Sequence, residues 1–143
     1  MDVKGGAMKK IKGQPYYTNR HSCFLLQYHI VLVTKYRHPI LEGKIKESVY
    51  TIIQSICDEK GYNILEMNGE PNHIHILLET GTDMKPQEFI NIIKTKTARF
   101  TRRDYGELLK KWYWKPLFWS DSYFISTVGI NTLDVVKQYI QNQ

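Results

Sequence analysis

The chain has 143 residues, 42% of them hydrophobic, with a formal net charge of +6 and a pI near 9.2. That length suggests one domain and can bury a core without disulfides. No apolar run approaches the roughly 20 residues a membrane helix needs, and Met1 to Arg20 is polar and basic rather than a hydrophobic signal segment, so a cytoplasmic protein is expected. A basic balance points to a polyanionic partner, most often nucleic acid, although a merely soluble basic protein fits charge alone equally well.

In chain order, residues 1–20 read as a flexible basic arm, with Gly5, Gly6, Gly13 and Pro15 breaking any pattern. Residues 21–143 read as a single domain. Residues 24–35 form a β-branched and aromatic run that is apolar on nearly both faces, which predicts a central buried strand. A turn through Pro39 follows. Residues 44–60 keep helical spacing at Ile45, Val49, Ile52, Ile53 and Ile56, and Gly61 ends that helix. Residues 62–69 predict a second strand, Glu70-Pro71-Asn72 a turn, and residues 73–79 a third strand paired with the second as a hairpin. Residues 85–103 predict a second helix with Phe89, Ile90, Ile93 and Phe100 inward, and residues 122–128 another strand, broken by Gly129. Asn131 or Thr132 caps a last helix running to Gln143, with Asp134 in its first turn. Cys23 and Cys57 have no partner spacing and read as reduced thiols.

The order strand, helix, strand, strand, helix, strand, helix predicts an α+β fold. It is a split β-α-β, a ferredoxin-like or RRM-like antiparallel sheet with helices on one face, plus a C-terminal helix.

His73-Ile74-His75 is the most informative motif. Side chains at i and i+2 share one face of a strand, so both imidazoles point the same way. Ile74, Ile76 and Leu78 take the other face, which reads as core. Two neutral imidazoles side by side are a bidentate grip for a divalent metal. On spacing alone a pair of half-exposed surface histidines is the commoner reading. His29 on the first strand is the main rival ligand, or else a satisfied sheet-face histidine; His21 and His38 read as loop residues.

Between Lys94 and Lys115 lie Lys94, Lys96, Arg99, Arg102, Arg103, Lys110, Lys111 and Lys115, against only Asp104 and Glu107. Aromatics are interleaved with them. Cations bind phosphates and aromatic faces stack on unpaired bases; a solvated helix face and core aromatics are the alternative. Lys94, Lys96, Arg99, Arg102 and Arg103, with Lys35 and Arg37 after the first strand, are the candidate DNA contacts. In the last helix, Tyr139 and Gln143 are four residues apart and so share a face, flanking the edge of a packing stripe of Leu133, Val136 and Ile140. A tyrosine made nucleophilic near a divalent cation can attack a phosphodiester and keep its energy in a covalent link, with no need of a Gly-rich phosphate loop, which the chain lacks. Taken alone, Tyr139 reads first as an amphipathic residue packing at a helix edge.

Three stretches, followed by Tyr139-x-x-x-Gln143, form an ordered set. They are Tyr28-His-Ile-Val-Leu-Val-Thr-Lys-Tyr-Arg37, Asn72-His-Ile-His-Ile-Leu-Leu78 and Trp119-Ser-Asp-Ser-Tyr-Phe-Ile-Ser-Thr-Val-Gly129. From about Tyr28 onward the chain resembles the single-tyrosine HUH transposases of the insertion-sequence 200/605 family. The resemblance implies that His73 and His75 are the metal pair, that Gln143 completes the metal shell, and that Tyr139 is the nucleophile. The implied metal is Mg²⁺ or Mn²⁺, and the implied substrate is single-stranded DNA hairpins at the ends of a mobile element. Such DNA would be cleaved to a 5′-phosphotyrosine and a free 3′-OH, then rejoined. It also implies a homodimer in which one subunit's tyrosine helix completes the other's histidine site; cis and trans arrangements both stay open, with Thr127-Val-Gly-Ile-Asn131 as a hinge. The alternatives are a domesticated HUH endonuclease, a replication-initiator or relaxase nicking enzyme, and a non-catalytic nucleic-acid-binding module with aromatics on its open strands.

Overall fold

The computed structural model describes residues 8–128 and 138–142. Its main sheet contains β4 (Leu26–Val33), β5 (Asn63–Glu70), β6 (His73–Thr80) and β7 (Phe124–Thr127) in the spatial order β5-β6-β4-β7, every neighbour antiparallel. Helices α1 (Gly43–Lys60) and α2 (Pro86–Leu109) complete the β-α-β-β-α-β order. This is the ferredoxin-like layout expected from the element order.

Alternation along the strands decides which face is covered. Ile30 and Leu32 of β4 and Ile74, Ile76 and Leu78 of β6 are fully buried against Val49 and Ile53 of α1 and Phe89, Ile90 and Ile93 of α2. α1 and α2 therefore lie on one face of the sheet. β4 is central, as its apolar sequence required. α1 ends at Gly61 in a left-handed conformation (φ 75°), whose N–H bonds back to the Asp58 carbonyl.

β5 and β6 form the expected hairpin through the two residues Pro71 and Asn72. Gly69 is needed there. A Cβ on it would overlap the His73 carbonyl oxygen and stand 2.9 Å from Ile74 Cα, so only glycine lets the strands close beside the first histidine.

Two features differ from the sequence expectation. α2 runs past Arg103 to Leu109, with non-helical angles at Tyr105 (φ −132°, ψ 31°); Leu109 is buried in the core and draws the extra turns inward. The stretch read as a flexible arm carries two strands of a small antiparallel sheet, β1 (Lys9–Lys10), β2 (Tyr17–Thr18) and β3 (Cys23–Phe24). Tyr17 anchors it. Its ring is 6% exposed and lies 6.1 Å from that of Phe24, and its hydroxyl donates to the buried Glu79 carboxylate at the end of β6. Asn63 donates to the Tyr17 oxygen (2.7 Å), and Gln27 to the second Glu79 oxygen (2.7 Å). Residues 138–141 are helical, as expected for the end of the last helix. Its predicted cap at Asn131 or Thr132, the hinge from Gly129 to Asn131, and Gln143 lie outside the described residues. Cys23 is free and exposed, and Cys57 is free and buried, its thiol pushed up to about 12 by that burial. Among the described residues no helix is long and apolar enough to cross a membrane.

Candidate active site on the open face of the sheet

The face opposite the helices is assembled by register. Val31 pairs with His75 and Val33 with His73 across β4 and β6; Phe124 pairs with Val31 and Ser126 with His29 across β7 and β4. On the far side Asn68 pairs with His75 and Glu70 with His73. Directly opposed residues share a face, so His73, His75, His29, Phe124 and Ser126 all look away from the helices. The i, i+2 reading of the two histidines holds.

His73 is 8% exposed, and its Nδ1 lies 2.8 Å from Asn72 Oδ1. With Asn72 accepting from Nδ1–H, Nε2 carries the lone pair, the form a metal ligand needs. Burial pushes the His73 pKa below the ordinary 6.5, with Glu70 opposing and Arg37 adding to the fall. Burial lowers His75 too, helped by His29, whose ring centre is 5.9 Å away. Both imidazoles are thus held neutral. His75 Nδ1, His29 Nδ1 and Ser126 Oγ are buried without hydrogen-bond partners, a row of unsatisfied polar atoms across β6, β4 and β7. Neutral histidines with an orphaned buried nitrogen suit a cation. Among the described residues no three His, Cys, Asp or Glu side chains form a group able to hold one, so the pair would need other oxygen donors.

Tyr139 sits on the same face. With Ile140 it packs against Val31 and Val33, and its ring centre is 5.4 Å from that of Phe124. Its hydroxyl is 3.2 Å from Ser122 Oγ. Burial raises its pKa above 10, and the Ser122 contact partly offsets this. The hydroxyl therefore lies on the β7 side of β4 while the histidines lie on the β6 side. One strand, with about 5 Å to each neighbour, separates them.

The candidate cations divide. Arg37 is beside the site: its guanidinium donates to the Gln141 carbonyl (3.3 Å), and its charge acts on His73. Lys35 donates to Asp121 (3.3 Å). Lys94 donates to the Ser120 carbonyl (2.8 Å) and the Asp121 carbonyl (3.2 Å), tying α2 to the segment before β7. Lys96, Arg99, Arg102 and Arg103 belong to α2, across the sheet from the histidines, and Arg103 is paired with Asp104 (2.8 Å). Of the interleaved aromatics, Tyr113, Phe118 and Trp119 are core, whereas Trp114 is 82% exposed. Sequence marks Asn72 only as a turn residue and Ser122 not at all, yet they contact His73 and Tyr139. The alternation Ser122, Phe124, Ser126 was the signal that would have placed Ser122 on the site face.

Residues 22–143 match the family model "Transposase IS200 like". The chain belongs to the IS200-like transposase family. Along 95% of its length it is 31% identical to the ISDra2 transposase TnpA of Deinococcus radiodurans, covering 91% of that protein. It is 33% identical, over 86% of its length and 80% of the relative's, to the transposase for insertion sequence element IS200 of Salmonella typhimurium. A crystal structure assigned as a transposase from Deinococcus radiodurans superposes with a TM-score of 0.80 at 27% identity, covering 88% of this chain and 96% of that one. A tyrosine transposase associated with REP sequences, solved bound to a REP hairpin, shares the fold (TM-score 0.56, 10% identity, covering 84% of this chain and 68% of that one). As an IS200-like transposase the chain is a DNA-processing enzyme of a mobile element, and its α+β fold is the one its solved relatives have.

Proposed function

We propose that this IS200-like transposase cleaves and rejoins single-stranded DNA at hairpin-marked element ends through a 5′-phosphotyrosine on Tyr139. The observation that carries the reading is the gathering of the His73–His75 pair and Tyr139, far apart in sequence, on the sheet face opposite α1 and α2. The tyrosine oxygen attacks phosphorus, the bond to the 3′-oxygen breaks, and the phenolic proton ends on the departing 3′-OH. A 3′-OH from another end reverses the step and restores the free tyrosine. Because the link preserves the diester's energy, no nucleotide cofactor is consumed.

His73 and His75, with Gln143, are the residues that would hold Mg²⁺ or Mn²⁺; when bound, the ion supplies positive charge to a phosphate oxygen. Asn72 fixes the tautomer of His73. Arg37 is placed for a phosphate next to the histidines, while Lys96, Arg99, Arg102 and Arg103 offer a second basic surface for a hairpin stem, with Lys35 and Lys94 nearer the β7 end. In one chain the tyrosine hydroxyl is turned to Ser122, on the far side of β4 from the histidines. That supports a homodimer in which each site takes its tyrosine from the partner.

The reading is tested with single-stranded oligonucleotides carrying the palindromic DNA that flanks the gene, with and without Mg²⁺. Wild type gives a covalent protein–DNA adduct that Tyr139→Phe abolishes, and His73→Ala or His75→Ala reduces it by a factor of about 100 or more. An adduct undiminished in Tyr139→Phe would sink the assignment.

A further inference from the structure

Immediately after β4 the backbone does something its residues disfavour. Tyr36 (φ 59°, ψ 15°) and Arg37 (φ 56°) are consecutive residues in the left-handed region, where glycine or asparagine would sit at little cost. Such strain persists only where the surroundings dictate it. They do. The Arg37 N–H donates to the Thr34 carbonyl (2.9 Å), and the Lys35 N–H to the Phe118 carbonyl (2.8 Å). Thr34 Oγ1 donates to the His38 carbonyl (2.7 Å), and Tyr113 donates to the Lys35 carbonyl (2.8 Å).

Burial does not compensate for these side chains. Tyr36 is 63% exposed and Arg37 is exposed. A turn that needs left-handed angles but gains nothing from a large aromatic would be better served by glycine. What the aromatic adds at this turn is a largely exposed ring. That ring lies against His38 (5.8 Å) and Tyr113 (6.5 Å), with Trp112 extending the aromatic surface beyond His38 (5.3 Å). The Lys35 ammonium lies 5.6 Å from the ring centre. The turn is fastened to the histidine hairpin, since the Thr34 N–H and hydroxyl both reach the Asn72 carbonyl (3.0 and 3.2 Å).

We propose that Tyr36 is a stacking platform for an unpaired DNA base next to the phosphate held at His73 and His75, with Arg37 on the adjoining phosphate. An exposed aromatic flanked by cations takes single-stranded DNA in preference to a duplex, whose bases offer no free face. The left-handed turn sets where the side chain leaves the backbone, and His38 and Tyr113 hold the ring there.

This rests on the single-strand cleavage reading, and the experiment separates the two. The probe is the flanking-DNA oligonucleotide with 2-aminopurine placed in turn at each unpaired position. Wild type should quench the fluorescence at a position adjoining the cleaved bond. Tyr36→Gly should lose that quenching and weaken binding about 10-fold, as loss of one base–aromatic stack does, while its melting temperature stays level or rises. Tyr36→Phe should keep both. Unchanged binding by Tyr36→Gly, in a protein that still forms the Tyr139 adduct, overturns the platform and leaves the cleavage reading standing. Weakened binding with an equal loss of thermal stability makes Tyr36 structural and also overturns it. A wild type that neither binds nor cleaves this DNA overturns both.

Discussion

Burial acts on His73 and His75 in opposite senses for folding and for function. A protonated imidazole is disfavoured on a largely desolvated sheet face, so each folded pKa lies below the ordinary 6.5. The pair stays ligand-competent at pH values where exposed histidines would be charged. The unfolded chain, however, takes up these protons first as pH falls. Stability from this source is complete above about 6.5 and drains away as pH drops from there through the depressed folded values. Urea unfolding in the presence of a chelator should therefore show midpoints that fall below pH 6.5, and the fall should be shallower in His75→Gln. Tyr139 shows the reverse bias: burial raises its pKa, and its hydroxyl rests on Ser122. It rests as a neutral phenol, so on the proposed reading activation would come from the substrate-bound state.

At the level of elements, the β5–β6 hairpin is the most demanding piece of the fold, because it sets the angle of both histidines through two loop residues and one glycine. In Gly69→Ala the new methyl meets backbone rather than a yielding side chain. The expected result is a loss of about 2–4 kcal/mol in denaturant unfolding together with loss of adduct formation, since the strand carrying His73 has to shift. This hairpin was legible from sequence because its signals are local: strand alternation around His73 and Pro71-Asn72 as turn residues. α1 was legible for the same reason, through its apolar period and Gly61. The extension of α2 to Leu109 was not, because basic residues at 102–103 and a glycine at 106 argue locally for an end, and only tertiary burial of Leu109 overrides them. The left-handed turn at Tyr36 and Arg37 was hidden more deeply, since neither residue type advertises such angles.

For the whole molecule, the amino-terminal sheet is the part composition misjudged. Glycines and lysines suggested an arm, yet Tyr17 and Glu79, 62 residues apart, fasten it to the main sheet. Tyr17→Phe keeps the ring but strips the Glu79 carboxylate of a donor while it stays buried. Chemical denaturation should register a loss of about 1–3 kcal/mol. If each site borrows its tyrosine, mixing Tyr139→Phe protein with His73→Ala protein restores adduct formation that neither variant shows alone; gel analysis of the mixture should reveal a recovered covalent band. A mixture as inert as its components would place nucleophile and histidines in the same chain.

The sheet that positions the site also divides it from the basic surface of α2. A strand that touches both the histidines and Lys96 or Arg99 has to turn around an edge of the sheet. Short oligonucleotides would then engage the histidine face alone and release few counterions, whereas longer ones would recruit the helix layer as well. The slope of log affinity against log salt should steepen abruptly once the DNA is long enough to round that edge. That length, found by trimming the oligonucleotide base by base, is a ruler for the path of the DNA over the protein.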